Sequence, residues 1–205
     1  MMTPAVRHLH ASHAVTYVAV LLGMLVPVAA RATGNWSAAG LLLALAVVAD
    51  TFDGRFARRF ARTDDQARVG IEIDSLSDVL TFGLTPIMVG YLLLPIDSTP
   101  RFLLWSGAAF FHVVCAITRL AVYNVVGGAS RGFVGLPVPV AALIWSTVFL
   151  GVPSVAGCTL AGTLCGAAMI SSLRVPRPTG VGLALFTAWP LTLVAWHAVR
   201  LGILR

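Results

Sequence analysis

Asp50, Asp53, Asp74 and Asp78 stand in two short stretches of a chain that has only eight acidic residues. Asp50 and Asp53 are three apart, and Asp74 and Asp78 are four apart. On a helix, those spacings put each pair on one face. Gly54 and Ala57 follow the first pair at intervals of four, and Gly70 precedes Asp74 by four. Each pair of carboxylates therefore lies on a stripe of residues with almost no side chain. Two antiparallel helices can turn these stripes toward each other and gather four carboxylates in one pocket. Hard divalent cations suit such a pocket, because they take oxygen ligands and can be shared between carboxylates. Two ions about 3.5–4 Å apart clamp a phosphate or pyrophosphate for in-line displacement. A carboxylate left free of metal can serve as general base on an acceptor hydroxyl. Arg58 can approach a phosphate through its planar fork of donors.

The elements that position these residues are membrane helices. The 205-residue chain is 58% hydrophobic and 11% charged, and its mean hydropathy is +0.90. A soluble domain of this length needs more polar surface than that. Seven apolar runs, near 13–31, 36–56, 72–95, 102–124, 134–152, 155–173 and 180–200, approach the ~20 residues that a spanning helix needs. Lipid leaves no partner for an open backbone, so the runs are read as helices. The expected fold is all-α: a polytopic integral membrane helical bundle of six to seven transmembrane helices, one domain over 1–205. The fifth and sixth runs meet at Gly151–Ser154, as a turn or a kink. Pro137 and Pro139 are read as a kink in the fifth run. Asp74 and Asp78 fall at the start of the third run, and 59–69 reads as a loop with Asp64 and Asp65 as solvated charges. Glu72, off the Asp74/Asp78 face, is expected to pair with an arginine. A carboxylate deep in a transmembrane helix costs roughly 2.5–3.5 kcal/mol, so the quartet calls for a cationic partner.

All 14 basic residues are arginine, and the net charge is +6. They are spread over the segments between apolar runs, which argues for membrane orientation and against nucleic acid. With 57–69 in the cytoplasm, Arg7, Arg55, Arg58, Arg59, Arg62, Arg68, Arg119, Arg131, Arg174 and Arg177 fall on the cytoplasmic side. Arg31, Arg101, Arg200 and Arg205 fall outside. The acidic pocket then faces the cytoplasm from a multi-pass protein of the cell membrane. Arg55, Arg59 and Arg62 read as orienting charges only. His8, His10 and His13 read as exposed flanking residues, and His112 and His197 as span histidines satisfied inside the bundle. Cys115, Cys158 and Cys165 read as small buried side chains. Ala30-Arg31-Ala32 faintly suggests a cleavage site, but the further spans favour an uncleaved first helix.

The pattern Asp50-x-x-Asp53-Gly54-x-x-Ala57-Arg58 … Gly70-x-x-x-Asp74-x-x-x-Asp78 resembles the signature of the CDP-alcohol phosphotransferase family. The resemblance covers about 12–177, with the span near 180–200 as an addition. Within that family, 72–86, 119–124 and 132–139 are similar to phosphatidylserine synthases. The resemblance implies two magnesium or manganese ions held by Asp50, Asp53, Asp74 and Asp78, with Asp78 as catalytic base. It implies a CDP site lined by Thr16, Gly54, Ala57, Arg58 and Gly70, and a homodimer. Arg119, Tyr123 and Asn124 become candidates for contacts to the acceptor or a phosphate. The chain departs from the family pattern in three places. Eleven residues, not about eight, separate Arg58 from Gly70. Val122 stands where an arginine is usual, and His13 where an asparagine is usual.

The expected function is transfer of a phosphatidyl group from CDP-diacylglycerol to the hydroxyl of L-serine, with release of CMP. Glycerol 3-phosphate or an inositol phosphate are alternative acceptors within the family. A small divalent-cation transporter is the rival from another class, although it needs carboxylates along the whole path. Here they gather at one end of their helices.

Overall fold

The computed structural model describes residues 10–126, 133–175 and 180–204. Arg7, His8, Arg131, Arg177 and Arg205 lie outside the described residues. Helix α1 is Ala14–Thr33, preceded by a 3₁₀ turn at Ala11–His13. Gly34, at φ 63°, ends it and returns its N–H to the Ala30 carbonyl. The left-handed conformation suits glycine at this cap. Asn35 then caps α2, Trp36–Ala57, by accepting from the Ser37 N–H at 2.8 Å.

Helix α3, Asp64–Asp78, opens on a capping box between Thr63 and Gln66. Asp64 and Asp65 sit in its first turn, where carboxylates favour the exposed N–H groups. A π-helical turn at Val79–Leu84 and helix α4, Thr85–Leu93, continue the same rod. The span thus runs from Asp64 to Leu93, and it begins eight residues before the apolar run. This corrects the expected loop over 59–69: only 58–63 link the helices. It also moves Asp74 and Asp78 from the start of the span into its interior. The π turn begins directly after Asp78, and Thr85 Oγ1 donates to the Leu80 carbonyl inside it at 2.8 Å.

Helix α5 is Thr99–Val126, α6 is Val138–Val148, α7 is Val155–Met169 and α8 is Val181–Arg200. Among the described residues, five helical segments are long and apolar enough to cross a membrane, while α6 and α7 are shorter. The fifth and sixth runs therefore carry less helix than their apolar length suggests. Their outer ends pair as a short antiparallel ladder, β1 (Phe133–Val134) with β2 (Arg174–Val175). Pro137 caps α6 and Pro139 lies in its first turn. The prolines start this helix and do not kink it, because the first turn has no use for their missing N–H.

Helix α1 packs along α2, and α2 is also covered by α6 and α8. The core holds Trp105, Trp145 and Phe149 with no exposed surface. Trp105 and Trp145 meet edge to face, their centroids 6.2 Å apart. The three cysteines are free and buried, as expected.

Candidate functional site

The last two turns of α2 carry Asp50, Asp53, Gly54 and Ala57, and Arg58 is its C-cap. Across from them, α3 carries Gly70, Asp74 and Asp78 at intervals of one turn. Asp50, Asp74 and Asp78 each offer a carboxylate oxygen, and the three lie within 4.8 Å of one another. Asp53 reaches the Asp74 carboxylate, and Asp50 reaches Asp78. From α1, Thr16 Oγ1 donates to Asp53 Oδ2 at 3.3 Å. The quartet drawn from the sequence is thus one cluster contributed by two helices.

The cluster is short of positive charge. Two unit charges 4.8 Å apart repel by about 3.5 kcal/mol at an effective dielectric constant near 20. Arg58 faces Asp53, and Arg119 faces Asp78. Among the described residues, these two guanidiniums face a cluster of four carboxylates, with Arg62 farther out on the cavity wall. Asp78 is 8% exposed and Arg119 is 7% exposed, so water screens the inner end poorly. A divalent cation fits this donor set: hard oxygens, close together, with charge left to neutralise.

Beside the cluster opens a cavity of about 260 Å³. Thr16, Asp53, Gly54, Ala57, Arg58, Gly70 and Asp74 all line it. Gly54 and Gly70 leave the helix backbones bare on its walls. Asp50 and Asp78 lie at the inner side of the cluster, and neither is among the cavity's lining residues.

The acceptor candidates fall elsewhere. Arg119 stacks over Tyr123, with Cζ 5.2 Å from the ring centroid. Asn124 Nδ2 donates to Ser75 Oγ at 2.9 Å, tying α5 to α3. Arg119 also faces Asp78 of the acidic cluster. Val122 is 53% exposed and points away from the bundle.

Two lining residues carry more than their sequence context indicates. His13 is buried and lines the cavity together with Ser12 and Arg62. His13 is therefore no exposed flank, and Arg62 stands at the cavity wall. His13 lies three residues before Thr16, the same helical face, so the spacing held that signal. Nothing in the spacing marks Arg62, whose position depends on the path of 58–63. Glu72 is exposed and makes no ion pair among the described residues.

A family profile described as CDP-alcohol phosphatidyltransferase matches residues 9–175. An archaetidylserine synthase of Methanothermobacter thermautotrophicus is 35% identical over 160 residues, 73% of this chain and 62% of that protein. A CDP-diacylglycerol–serine O-phosphatidyltransferase of Mycobacterium bovis is 36% identical over 113 residues, 52% of this chain and 37% of that protein. One of the same description from Methanocaldococcus jannaschii is 30% identical over 146 residues, 71% of this chain and 67% of that protein. The chain spans less than two thirds of the length of the first two of these relatives.

Proposed function

The chain belongs to the CDP-alcohol phosphatidyltransferase family, and from that premise we propose that it transfers a phosphatidyl group from CDP-diacylglycerol to L-serine, releasing CMP. The observation that carries the reading is the acidic cluster opening onto a cavity lined by bare helix backbone. The serine acceptor is supported by relatives described as archaetidylserine synthase and CDP-diacylglycerol–serine O-phosphatidyltransferase.

Asp50, Asp53, Asp74 and Asp78 would hold two divalent ions, magnesium or manganese, which supply charge neutralisation for the pyrophosphate when bound. Gly54, Ala57 and Gly70 let the donor lie against the helices, and Arg58 holds a phosphate oxygen through its fork. Thr16 fixes the Asp53 carboxylate from behind. Asp78 takes the proton of the serine hydroxyl. The serine oxygen bonds to the lipid-linked phosphorus, the bond from that phosphorus to the bridging oxygen breaks, and CMP leaves with that oxygen. Arg119, beside Asp78, would meet the serine carboxylate, with Tyr123 and Asn124 forming the surrounding wall. Most of the rate comes from positioning and fixed charge.

The acyl chains stay in lipid along the spans. The arginine distribution supports a cytoplasmic active site in the cell membrane, and the family resemblance supports a homodimer.

The test is CMP release by the purified protein from CDP-diacylglycerol with a panel of acceptors. Release with serine supports the reading. Release with glycerol 3-phosphate and not with serine replaces the acceptor. No release with any acceptor, alongside divalent-metal flux into proteoliposomes, overturns the transferase.

A further inference from the structure

The rod that carries Asp78 is not a uniform helix. Val79 still donates its N–H to the Ser75 carbonyl, four residues back, as an α-helix requires. The next turn, Val79–Leu84, is π-helical. Thr85 closes it with an N–H to the Leu80 carbonyl, five residues back, and Thr85 Oγ1 donates to the same carbonyl at 2.8 Å. Both donors of Thr85 thus serve one wide turn. Pro86 explains the widening. An α-helix would take an N–H from residue 86 for the Phe82 carbonyl, and proline has none. Its ring would also press on that carbonyl. A turn with one more residue relieves both.

Both halves of the rod are pinned to the same neighbour, α5. Upstream, Asn124 Nδ2 donates to Ser75 Oγ at 2.9 Å, and Ser75 Oγ to Asn124 Oδ1 at 3.3 Å. Downstream, a Cβ on Gly90 would overlap the Trp105 ring, so bare backbone admits the indole there. The π turn itself is wedged between neighbours. A Cβ on Gly83 would stand 3.2 Å from Ala116 Cβ on α5, and one on Gly23 of α1 would stand 2.8 Å from Thr81 Cγ2. With both ends held, the extra residue is absorbed between Ser75 and Gly90. One residue of α-helix is about 100° of rotation. In an uninterrupted α-helix with the downstream half held, Asp78 would swing by that angle. It would leave the direction in which it now reaches Asp50 and faces Arg119. Asp78 is the last residue before the turn, so its direction is the first to follow. Resting on the transferase reading above and on Asp78 as its base, we propose that the π turn sets the direction of Asp78, and that Thr85, through its hydroxyl on the Leu80 carbonyl, is a positioning residue for the transfer.

The experiment measures CMP release per folded molecule by the full chain in nanodiscs, with Thr85 and Asp78 changed singly and together. Thr85→Val keeps the shape and removes the hydroxyl. Its kcat should fall about tenfold to a hundredfold, the scale of a small misplacement of a reacting group, with KM for CDP-diacylglycerol within about twofold of wild type. Thr85→Ser restores the donor and should restore kcat. In the Asp78→Asn background no carboxylate is left to aim, so Thr85→Val should change kcat there by less than about twofold. A merely structural threonine would lower both backgrounds alike. Pro86→Ala supplies the missing N–H and lets the turn relax to α, so it tests the turn even if Thr85→Val fails to fold. Its kcat should fall in the same direction while the unfolding temperature holds. Unchanged kcat in Pro86→Ala and in folded Thr85→Val, or an equal loss in both Asp78 backgrounds, overturns the assignment and leaves the transferase standing. Full activity of Asp78→Asn removes the base, and a wild type that releases no CMP overturns the transferase; this assignment falls with either.

Discussion

Two buried polar clusters in this bundle are built on opposite terms. One joins α2, α6 and α8 around Ser146. Ser146 Oγ donates to the Gly40 carbonyl at 2.9 Å, which commits its single proton. His197 Nε2 lies 3.1 Å from Ser146 Oγ and 3.0 Å from the Ser146 carbonyl, so Nε2 carries a proton and donates to both. A Cβ on Gly40 would overlap the His197 ring, so the glycine is what lets α8 come this close. This cluster completes the bonds of Ser146 and of His197 Nε2 within the protein and leaves only His197 Nδ1 without one among the described residues. The other cluster is the aspartate quartet, which gathers acceptors with too few donors. A membrane bundle needs internal partners for buried polar groups. A cluster that closes on itself is structural, while one that stays electrostatically incomplete requires something from outside.

The largest effect that can break this contrast is in the quartet. Asp78→Asn removes the proposed base, and kcat should fall about a thousandfold. Its thermal unfolding temperature should not fall, because one of four like charges is gone. Equal loss of stability and activity would mean that Asp78 is structural after all. Next comes the metal. Chelation should stop CMP release, and added Mg²⁺ should raise the unfolding temperature of the wild type. Occupancy at a hundred times Kd is worth about 2.7 kcal/mol. Asp50→Asn combined with Asp74→Asn should lose that response, whereas a change at His197 should keep it. A thermal response to Mg²⁺ that survives loss of both aspartates places the ion elsewhere.

The inner end of the site was legible in the sequence because its geometry is local. Spacings of three and four fix a helical face whatever surrounds it, and glycines on the same stripe mark a wall. The boundary of α3 was misread for a related reason. Apolar length begins near 72, but the helix begins where Thr63 and Gln66 cap it, and polar first turns leave no hydropathy signal. The seven segments emerged from apolar length alone, yet α6 starts late and α7 ends early because Gly135 and the β1–β2 ladder take those flanks into extended chain. Arg62 was unreadable: the approach of its guanidinium to the space above Gly70 is a tertiary fact. His13 was readable through Thr16, but histidines at a helix start also read as flank.

At the structural cluster, His197→Ala should cost about 2 kcal/mol, from one lost bond and the space left behind. The unfolding temperature should drop while kcat per folded molecule stays within about twofold. His197 lies on α8, beyond the residues that the family profile matches, so a matching loss of kcat would tie the added helix to the chemistry. The smallest effect sharpens the boundary between the two clusters. Thr16 Oγ1 donates to Asp53 at 3.3 Å, a long bond, and it joins α1 to the quartet. If the quartet is completed by an external ion, Thr16 only orients one ligand of several. Thr16→Ala should then raise the Mg²⁺ concentration for half-maximal activity by roughly threefold to tenfold, the range of one modest hydrogen bond. Saturating Mg²⁺ should restore kcat. If excess metal restores nothing, the hydroxyl acts on the substrate directly, and the line between orienting and reacting residues must be drawn one helix further out.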